Sequence, residues 1–531
     1  MIVSAGELHS RHGVVVAPDP RAAAAGQTML REGGNAFDAA VAAAFAIGVV
    51  EPFMSGIGGS GWVTARFADT GRVLTIDGSA KSPAAASPEL FPLAGGADGG
   101  LYGWPRVVDD ANVMGPRSVA VPGNVAALAA AAEHGRLGLA ACLQPAIELA
   151  ARGTQVNWFA TSCIVAEMRN LRRDPGALAL YFRDGVPIVS DVTGPEGTLV
   201  QPALAETLGR IARQGPAEIY GGESGRSFAR FLQAGGGILT AEDMAGYAPV
   251  IEENAVGWQF EGFRLHGPLR TGVGTVVQML RLLEAHRRAD PGIDPRLAWA
   301  LSSDAAIAER LTRMTAAPDG GTDWATLLSP EHADRLVAEP IPAVGAGRPG
   351  CTDHLTATDA DGNVVSLTQT VLDLFGARVV DPETGVLFND GMMYFDPRPE
   401  AVNAVRPSTY GMSATAPIVV EHAGGVTGLG ASGGRRIMSA VAQITERVVA
   451  GASVGAAIDA PRLHAEKGTV TLDVRDADAL GLLERRFAVE VREEQPTTWH
   501  FARPNGITVS PDGMQSAGAD PHKPYGMLAA G

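Results

Sequence analysis

Cys351-Thr352-Asp353-His354 opens a stretch that continues Leu-Thr-Ala-Thr-Asp over residues 355–359 and Val-Val-Ser-Leu-Thr-Gln-Thr over residues 364–370. Both runs are rich in β-branched residues, and Ala360-Asp361-Gly362-Asn363 between them carries the turn chemistry of a hairpin. A three-residue loop with Gly362 in the left-handed conformation pairs Asp359 with Asn363. Counting outward sets Thr352 opposite Thr370, and directly opposed residues share one face of a sheet. The register therefore predicts two threonine hydroxyls together at the open end of the hairpin. A two-residue Asp361-Gly362 turn would oppose Thr352 to Val371 and separate them.

The 531 residues exceed one ordinary domain, so two domains or one large composite domain are expected. With 46% hydrophobic residues the chain can bury a sizeable core, and its formal charge is −16. No Lys/Arg cluster interrupts that acidity, so a nucleic-acid partner is not expected. Residues 39–50 form the longest apolar run, too short to span a bilayer and better read as a buried helix. No basic segment followed by an apolar stretch marks the N-terminus, from which a cytoplasmic location is expected. Cys142, Cys163 and Cys351 are too few and too scattered for a disulfide framework or a metal site, and no cofactor is expected.

Along the chain, residues 14–16 read as a strand and residues 21–32 as a helix stopped by Gly33-Gly34. Asn35 caps a second helix over residues 36–50, ended by Pro52. The loop from Ser55 to Gly61 could cradle a phosphate, but the Lys-Ser/Thr of a P-loop is missing, and a tight connector is the simpler reading. Strands follow over residues 62–67 and 73–77, then helices over residues 124–133 and 145–151, with Pro145 in the first turn. Residues 317–350 are rich in proline and glycine, a linker composition. A loose linker feeding an internal threonine at a strand start is what a self-cleaving precursor needs. Strands are read over residues 386–389, 418–420 and 425–429, and a helix over residues 435–449.

The loop Gly428-Leu429-Gly430-Ala431-Ser432-Gly433-Gly434 carries three readings. Gly428, Gly430 and Gly433 match G-x-G-x-x-G, although the acid that should close the next strand of a dinucleotide site is missing. Gly430 to Gly434 match a G-x-S-x-G nucleophile elbow, with Ser432 followed by Asp459 and then His464 or His500. Consecutive glycines at a helix N-terminus also make an oxyanion hole.

Taken together, separated stretches resemble the γ-glutamyltranspeptidase superfamily of N-terminal-nucleophile hydrolases. They are Glu32-Gly33-Gly34-Asn35-Ala36-Phe37-Asp38-Ala39-Ala40-Val41-Ala42, Glu51-Pro52 with the loop through Gly61, Val121-Pro122-Gly123 and Pro145-Ala146-Ile147-Glu148-Leu149-Ala150. Thr352-Asp353-His354, residues 361–370 and Ser432-Gly433-Gly434 complete the set. The resemblance implies an α/β (α+β) fold, a four-layer αββα sandwich formed jointly by two segments of one precursor. It implies a cut between Cys351 and Thr352, giving a large subunit, 1–351, and a small one, 352–531, which together make one composite domain. Thr352 would supply the nucleophilic hydroxyl and, through its new α-amino group, the base. Thr370 matches the threonine that hydrogen-bonds the nucleophile, and Gly433 and Gly434 match the oxyanion pair. The partner implied is a small-molecule amide, with neither nucleic acid nor membrane; the oligomeric state is left open.

The same resemblance exposes departures in the substrate pocket. Ser79 stands where γ-glutamyl enzymes place an arginine for the substrate α-carboxylate, and Tyr394 where they place an acid for the α-amino group. Leu372 replaces an asparagine, and Tyr410-Gly411 replaces a Ser-Ser pair before Met412. Arg378 and Arg435 are alternative holders of a substrate carboxylate, or plain structural cations. Loss of a zwitterion grip moves the expectation toward other amides, such as those of glutaryl-cephalosporin acylases or oxamate amidohydrolase. A serine hydrolase using Ser432 and an uncleaved, non-catalytic binding relative are the alternatives. Asp353, where a second threonine is usual, would raise the pKa of the new amine, though its side chain should point away from Thr352.

Overall fold

In the computed structural model, which describes residues 6–95, 102–190, 197–315, 321–341 and 350–530, the hairpin forms between the strands Cys351–Asp359 and Val364–Leu372. Its register runs from Thr358 opposite Val364 to Asp353 opposite Gln369, as the three-residue loop requires. At the open end Cys351 pairs with Leu372, so a bulge sets Thr370 and Val371 against Thr352 alone. Leu372 closes that bulge at φ +89°, a left-handed conformation that costs a leucine on the order of 1–3 kcal/mol.

Two seven-stranded antiparallel sheets organise the molecule. In the first, the hairpin lies between Gly13–Ala17 and Ser60–Arg66, with Gly526–Ala529 at one edge and Val73–Gly78 then Val250–Glu252 at the other. The second runs Leu8–Ser10, Gln515–Ala519, Arg503–Val509, Gly425–Ser432, Ile418–His422, Phe263–His266, Trp258–Phe260. Both sheets thus interleave strands from either side of position 352.

Strand alternation sends Thr352, His354 and Thr356 toward the second sheet and Asp353 toward the helices. The sheets approach closely because Gly428 and Gly430 lie beneath the hairpin. A Cβ on Gly430 would sit 2.4 Å from the His354 ring, and one on Gly428 2.9 Å from Thr356 Cγ2. Burial depresses the His354 pKa to about 3, so the ring stays neutral. Its Nδ1 lies 2.8 Å from Thr368 Oγ1.

Helices cover the outer faces and complete four layers. Ala36–Val50 is buried along its whole length, as a helix apolar on all sides must be. Asn35 and Asp38 close a capping box at its start. Pro20–Arg31, Asn124–Ala132 and Leu139–Arg152 join it in one core. Gly274–Ala289, Pro295–Arg313 and Arg436–Val449 pack on the second sheet.

Three local expectations are corrected. The helix expected over residues 145–151 begins at Leu139 and carries Pro145 internally, because burial of Cys142, Leu143 and Ala146 outweighs one lost hydrogen bond. The strand expected over residues 386–389 is only a bridge between Val380 and Leu387. Within the expected linker, Trp324–Leu327 and Pro330–Ala338 are helices, capped by Asp323 and Ser329. Residues 317–320 and 342–349 of that linker lie outside the described residues.

Candidate active site

Thr352 is 3% exposed, and its Oγ1 lies 2.5 Å from the Cys351 carbonyl oxygen and 3.4 Å from Thr370 Oγ1. Thr370 Oγ1 donates to the same carbonyl oxygen and accepts from the Leu372 N–H at 2.8 Å. The bulge therefore brings both hydroxyls to the carbonyl oxygen of the peptide bond that precedes Thr352. The Cys351 thiol is buried in an apolar cluster, and burial pushes its pKa well up, so it is no competing nucleophile.

Gly433 and Gly434 connect the strand Gly425–Ser432 to the helix Arg436–Val449 with φ of +135° and +60°. A Cβ on Gly433 would stand 2.8 Å from Ala502 Cα. Gly433 thus requires glycine and Gly434 adopts a conformation that favours it, at a helix N-terminus where backbone N–H groups favour negative charge. Gly434, Thr352 and Thr370 line one cavity, together with Tyr102, Leu372 and Ser413. No acidic or basic side chain lines it among the described residues.

Beneath the hairpin lies a feature the sequence reading missed. Lys523 Nζ sits 2.9 Å from Asp353 Oδ1 and 2.9 Å from Glu51 Oε2, with all three side chains almost fully buried. Ser55 Oγ donates to Asp353 Oδ2 at 2.7 Å, and Gln369 Nε2 donates to Ser55 at 3.0 Å. Burial raises the Glu51 pKa, with Lys523 opposing and Asp353 adding to the rise. Burial works against the Lys523 charge, but Asp353 and Glu51 together hold the ammonium well above its usual range. Asp353 does point away from Thr352, and its charge is answered by Lys523. The only signal in the sequence was an acid beside the candidate nucleophile, with nothing to name its partner.

Most residues expected to grip a substrate are engaged elsewhere. Ser79 is buried, donating to Asp77 Oδ1 at 2.5 Å and accepting from Trp62 Nε1 at 2.9 Å, so it does not face the Thr352 cavity. Arg378 is held by Asp373 at 2.7 Å and by Glu167 at 3.2 Å, a structural cation. Arg435 pairs with Glu466 at 2.9 Å and donates to the Tyr102 carbonyl at 2.8 Å. Tyr394 is buried behind Tyr102, with Gly411 against its ring. Tyr410 donates to the Ala248 carbonyl and lies under Arg270. Leu372 alone of this group lines the cavity.

The competing readings of the glycine loop lose their geometry. Gly428 and Gly430 lie inside an antiparallel strand, whereas a dinucleotide loop follows a parallel one. Ser432 Oγ has no hydrogen-bond partner. His464 Nδ1 is occupied by Ser439 at 2.9 Å, and exposed Asp459 lies 4.0 Å from Arg475. Among the described residues no histidine hydrogen-bonds Ser432, so no triad is assembled on it. No group of three metal-ligating side chains occurs among the described residues, and no described helix is long and apolar enough to cross a membrane.

Two antiparallel sheets between helical layers, with a threonine heading a central strand, define an N-terminal-nucleophile hydrolase fold. Comparison with known proteins is specific beyond the fold. A profile described as Gamma-glutamyltranspeptidase matches residues 22–530. The chain is 35% identical over 526 residues to the Acylase ACY 1 proenzyme of Pseudomonas sp. (strain SE83), covering 96% of this chain and 91% of that protein. To the Glutathione hydrolase proenzyme of Escherichia coli (strain K12) it is 28% identical, over 97% of this chain and 91% of that one. The crystal structure of cephalosporin acylase from Bacillus halodurans superposes with a TM-score of 0.84 at 25% identity, covering 98% and 96% of the two chains. The chain belongs to the gamma-glutamyltranspeptidase family, and it is an amide hydrolase or acyltransferase.

Proposed function

We propose that the chain is a precursor that cuts its own Cys351–Thr352 bond and then hydrolyses or transfers the acyl group of a small amide through Thr352. The observation that carries this is the Cys351 carbonyl oxygen, met by both the Thr352 and Thr370 hydroxyls. Attack of Thr352 Oγ1 on the Cys351 carbonyl carbon moves the acyl group from nitrogen to oxygen and frees the α-amino group. Water then hydrolyses the ester, leaving a Cys351 carboxylate and an N-terminal Thr352. In turnover the new amine takes the Oγ1 proton as the hydroxyl attacks a substrate amide. The Gly433 and Gly434 N–H groups stabilise the oxyanion. The proton passes to the departing amine, and water or an acceptor amine releases the acyl group. Segments 1–351 and 352–531 remain associated, since each contributes strands to both sheets. Intact mass and N-terminal sequencing of the purified protein test the reading: two fragments, the smaller starting Thr-Asp-His, are expected, and a single uncut but active chain refutes it.

Gly433→Ala would force a side chain onto φ +135° and against Ala502. A drop of about 10²–10³-fold in kcat is expected, the usual cost of one oxyanion donor. Steady-state kinetics on protein confirmed to be cut would check it, and an unchanged kcat would remove Gly433 from the oxyanion site.

The substrate is proposed to lack a free γ-glutamyl zwitterion. Neither Ser79 nor Tyr394 lines the Thr352 cavity, and none of the cavity's side chains is charged. An α-ammonium buried there without a partner costs more than the about 1–3 kcal/mol of an unpaired neutral group. Turnover of γ-glutamyl-p-nitroanilide is therefore expected at least about tenfold below that of glutaryl-p-nitroanilide. The reverse order would restore a γ-glutamyl pocket.

A further inference from the structure

A second recess lies on the other side of the glycine pair, and no step above places a substrate group in it. Its end nearest the reaction is formed by Gly350 and Gly433, while Gly434 belongs to the Thr352 cavity. Gly350 borders both cavities, one residue before the bond to be cut. Its walls are Met54, Phe159, Trp499 and Phe501. Phe159 and Trp499 stack at 5.7 Å between ring centroids, inclined by 28°. Phe159 is braced from behind by Phe53 at 5.8 Å, which in turn meets Phe375 at 5.6 Å. Trp499 is half-buried and forms the mouth, whereas Phe159 is 2% and Phe501 5% exposed.

Two cations line this cavity, and both are held in ion pairs. Lys523 is held by Glu51 and Asp353, with its Nζ 5.1 Å from the Phe159 ring. Arg503 pairs with Glu494 at 3.1 Å and donates to backbone carbonyls, including that of Pro496 at 3.2 Å. Each charge is answered by a carboxylate, and Arg503 Nε is left without a hydrogen-bond partner. What remains is a recess bordered by aromatic rings, which favours an apolar ring over a charged group.

We infer that this slot is a second substrate subsite, which takes an aromatic or apolar ring on the amine half of the amide. The inference rests on Thr352 being the nucleophile. An acyl group bonded to Thr352 Oγ1 stays in the cavity that Thr352 lines. The other half of the substrate is the one that must leave, and the slot opens at half-exposed Trp499. Gly433 faces the slot and Gly434 the acyl cavity, so a carbonyl held by both straddles the boundary. Release of the Gly350–Cys351 end by self-cleavage joins the two spaces. The implied substrate class is an N-aryl or N-arylalkyl amide of a small acid.

The test is equilibrium binding of 2-naphthylamine to the purified protein, followed by Trp fluorescence and by dialysis. The wild type is compared with Trp499→Ala and, as a second variant, Phe501→Ala. One saturable site per chain is expected, weakened about tenfold or more by either substitution. Intact mass of each sample, recorded alongside, reports self-cleavage independently. No saturable binding to cut wild type, or equal affinity in both variants, overturns the subsite while leaving the Thr352 reading in place. Binding by wild type that proves uncut overturns the nucleophile reading, and with it the assignment of the slot to a leaving amine.

Discussion

Thr352→Ala is expected to leave one chain of 54.8 kDa on a denaturing gel where the wild type gives two fragments. Activity toward any amide should fall by more than about 10⁴-fold, the scale on which enzymes lose rate with their nucleophile. Alanine removes the hydroxyl that lies 2.5 Å from the Cys351 carbonyl, and no substitute stands near. The Cys351 thiol is buried and protonated, and Ser432 has no histidine to activate it. The fold should survive, because Thr352 makes its hydrogen bonds only to Cys351 and Thr370 at the open end of the hairpin. Circular dichroism should therefore match the wild type. Residual cleavage at the same bond would show that another group attacks it, and the proposed mechanism would fail.

Lys523→Met is expected to destabilise the protein by about 3–5 kcal/mol, the cost of leaving buried charge without its partner. Methionine fills similar space but leaves Glu51 and Asp353 facing each other under the hairpin. At least one of them must then take up a proton or turn out of the core. Asp353 adjoins Thr352 in the chain, so its displacement carries into the nucleophile, and slower self-cleavage should accompany the loss of stability. Urea unfolding and a time course of intact mass would measure the two effects. A midpoint equal to the wild type would mean that the ion pairs contribute nothing net. A triple variant, Glu51→Gln with Asp353→Asn and Lys523→Met, removes all three charges and should recover part of the lost stability.

Much of the frame was legible in the residues themselves. Asp361-Gly362-Asn363 set the hairpin register, and Asn35 with Asp38 set the start of the buried helix, because turns and caps are decided within four residues of chain. The glycines of Gly433-Gly434 are demanded by backbone conformation, which a sequence records directly as an absence of Cβ. Pro145 misled because its position in a helix depends on what the helix packs against. Ser79 and Tyr394 stand by analogy at substrate-binding positions, but hydrogen bonds and burial claim them, and of the two readings of Arg378 its ion pairs with Asp373 and Glu167 fit the structural cation.

The sequence alone therefore determined the hairpin register as far as Asp353 opposite Gln369, the burial of the central helix and the glycine turn after Ser432. All three follow from local alternation, capping and steric rules. Only the tertiary structure decided that Lys523 pairs with both Asp353 and Glu51 and that no charged side chain among the described residues lines the Thr352 cavity. It also decided that Phe159, Trp499 and Phe501 meet as a slot behind Gly433. Desolvation and Coulomb attraction act between groups brought together by the folded layers, and neither leaves a mark in the order of residues.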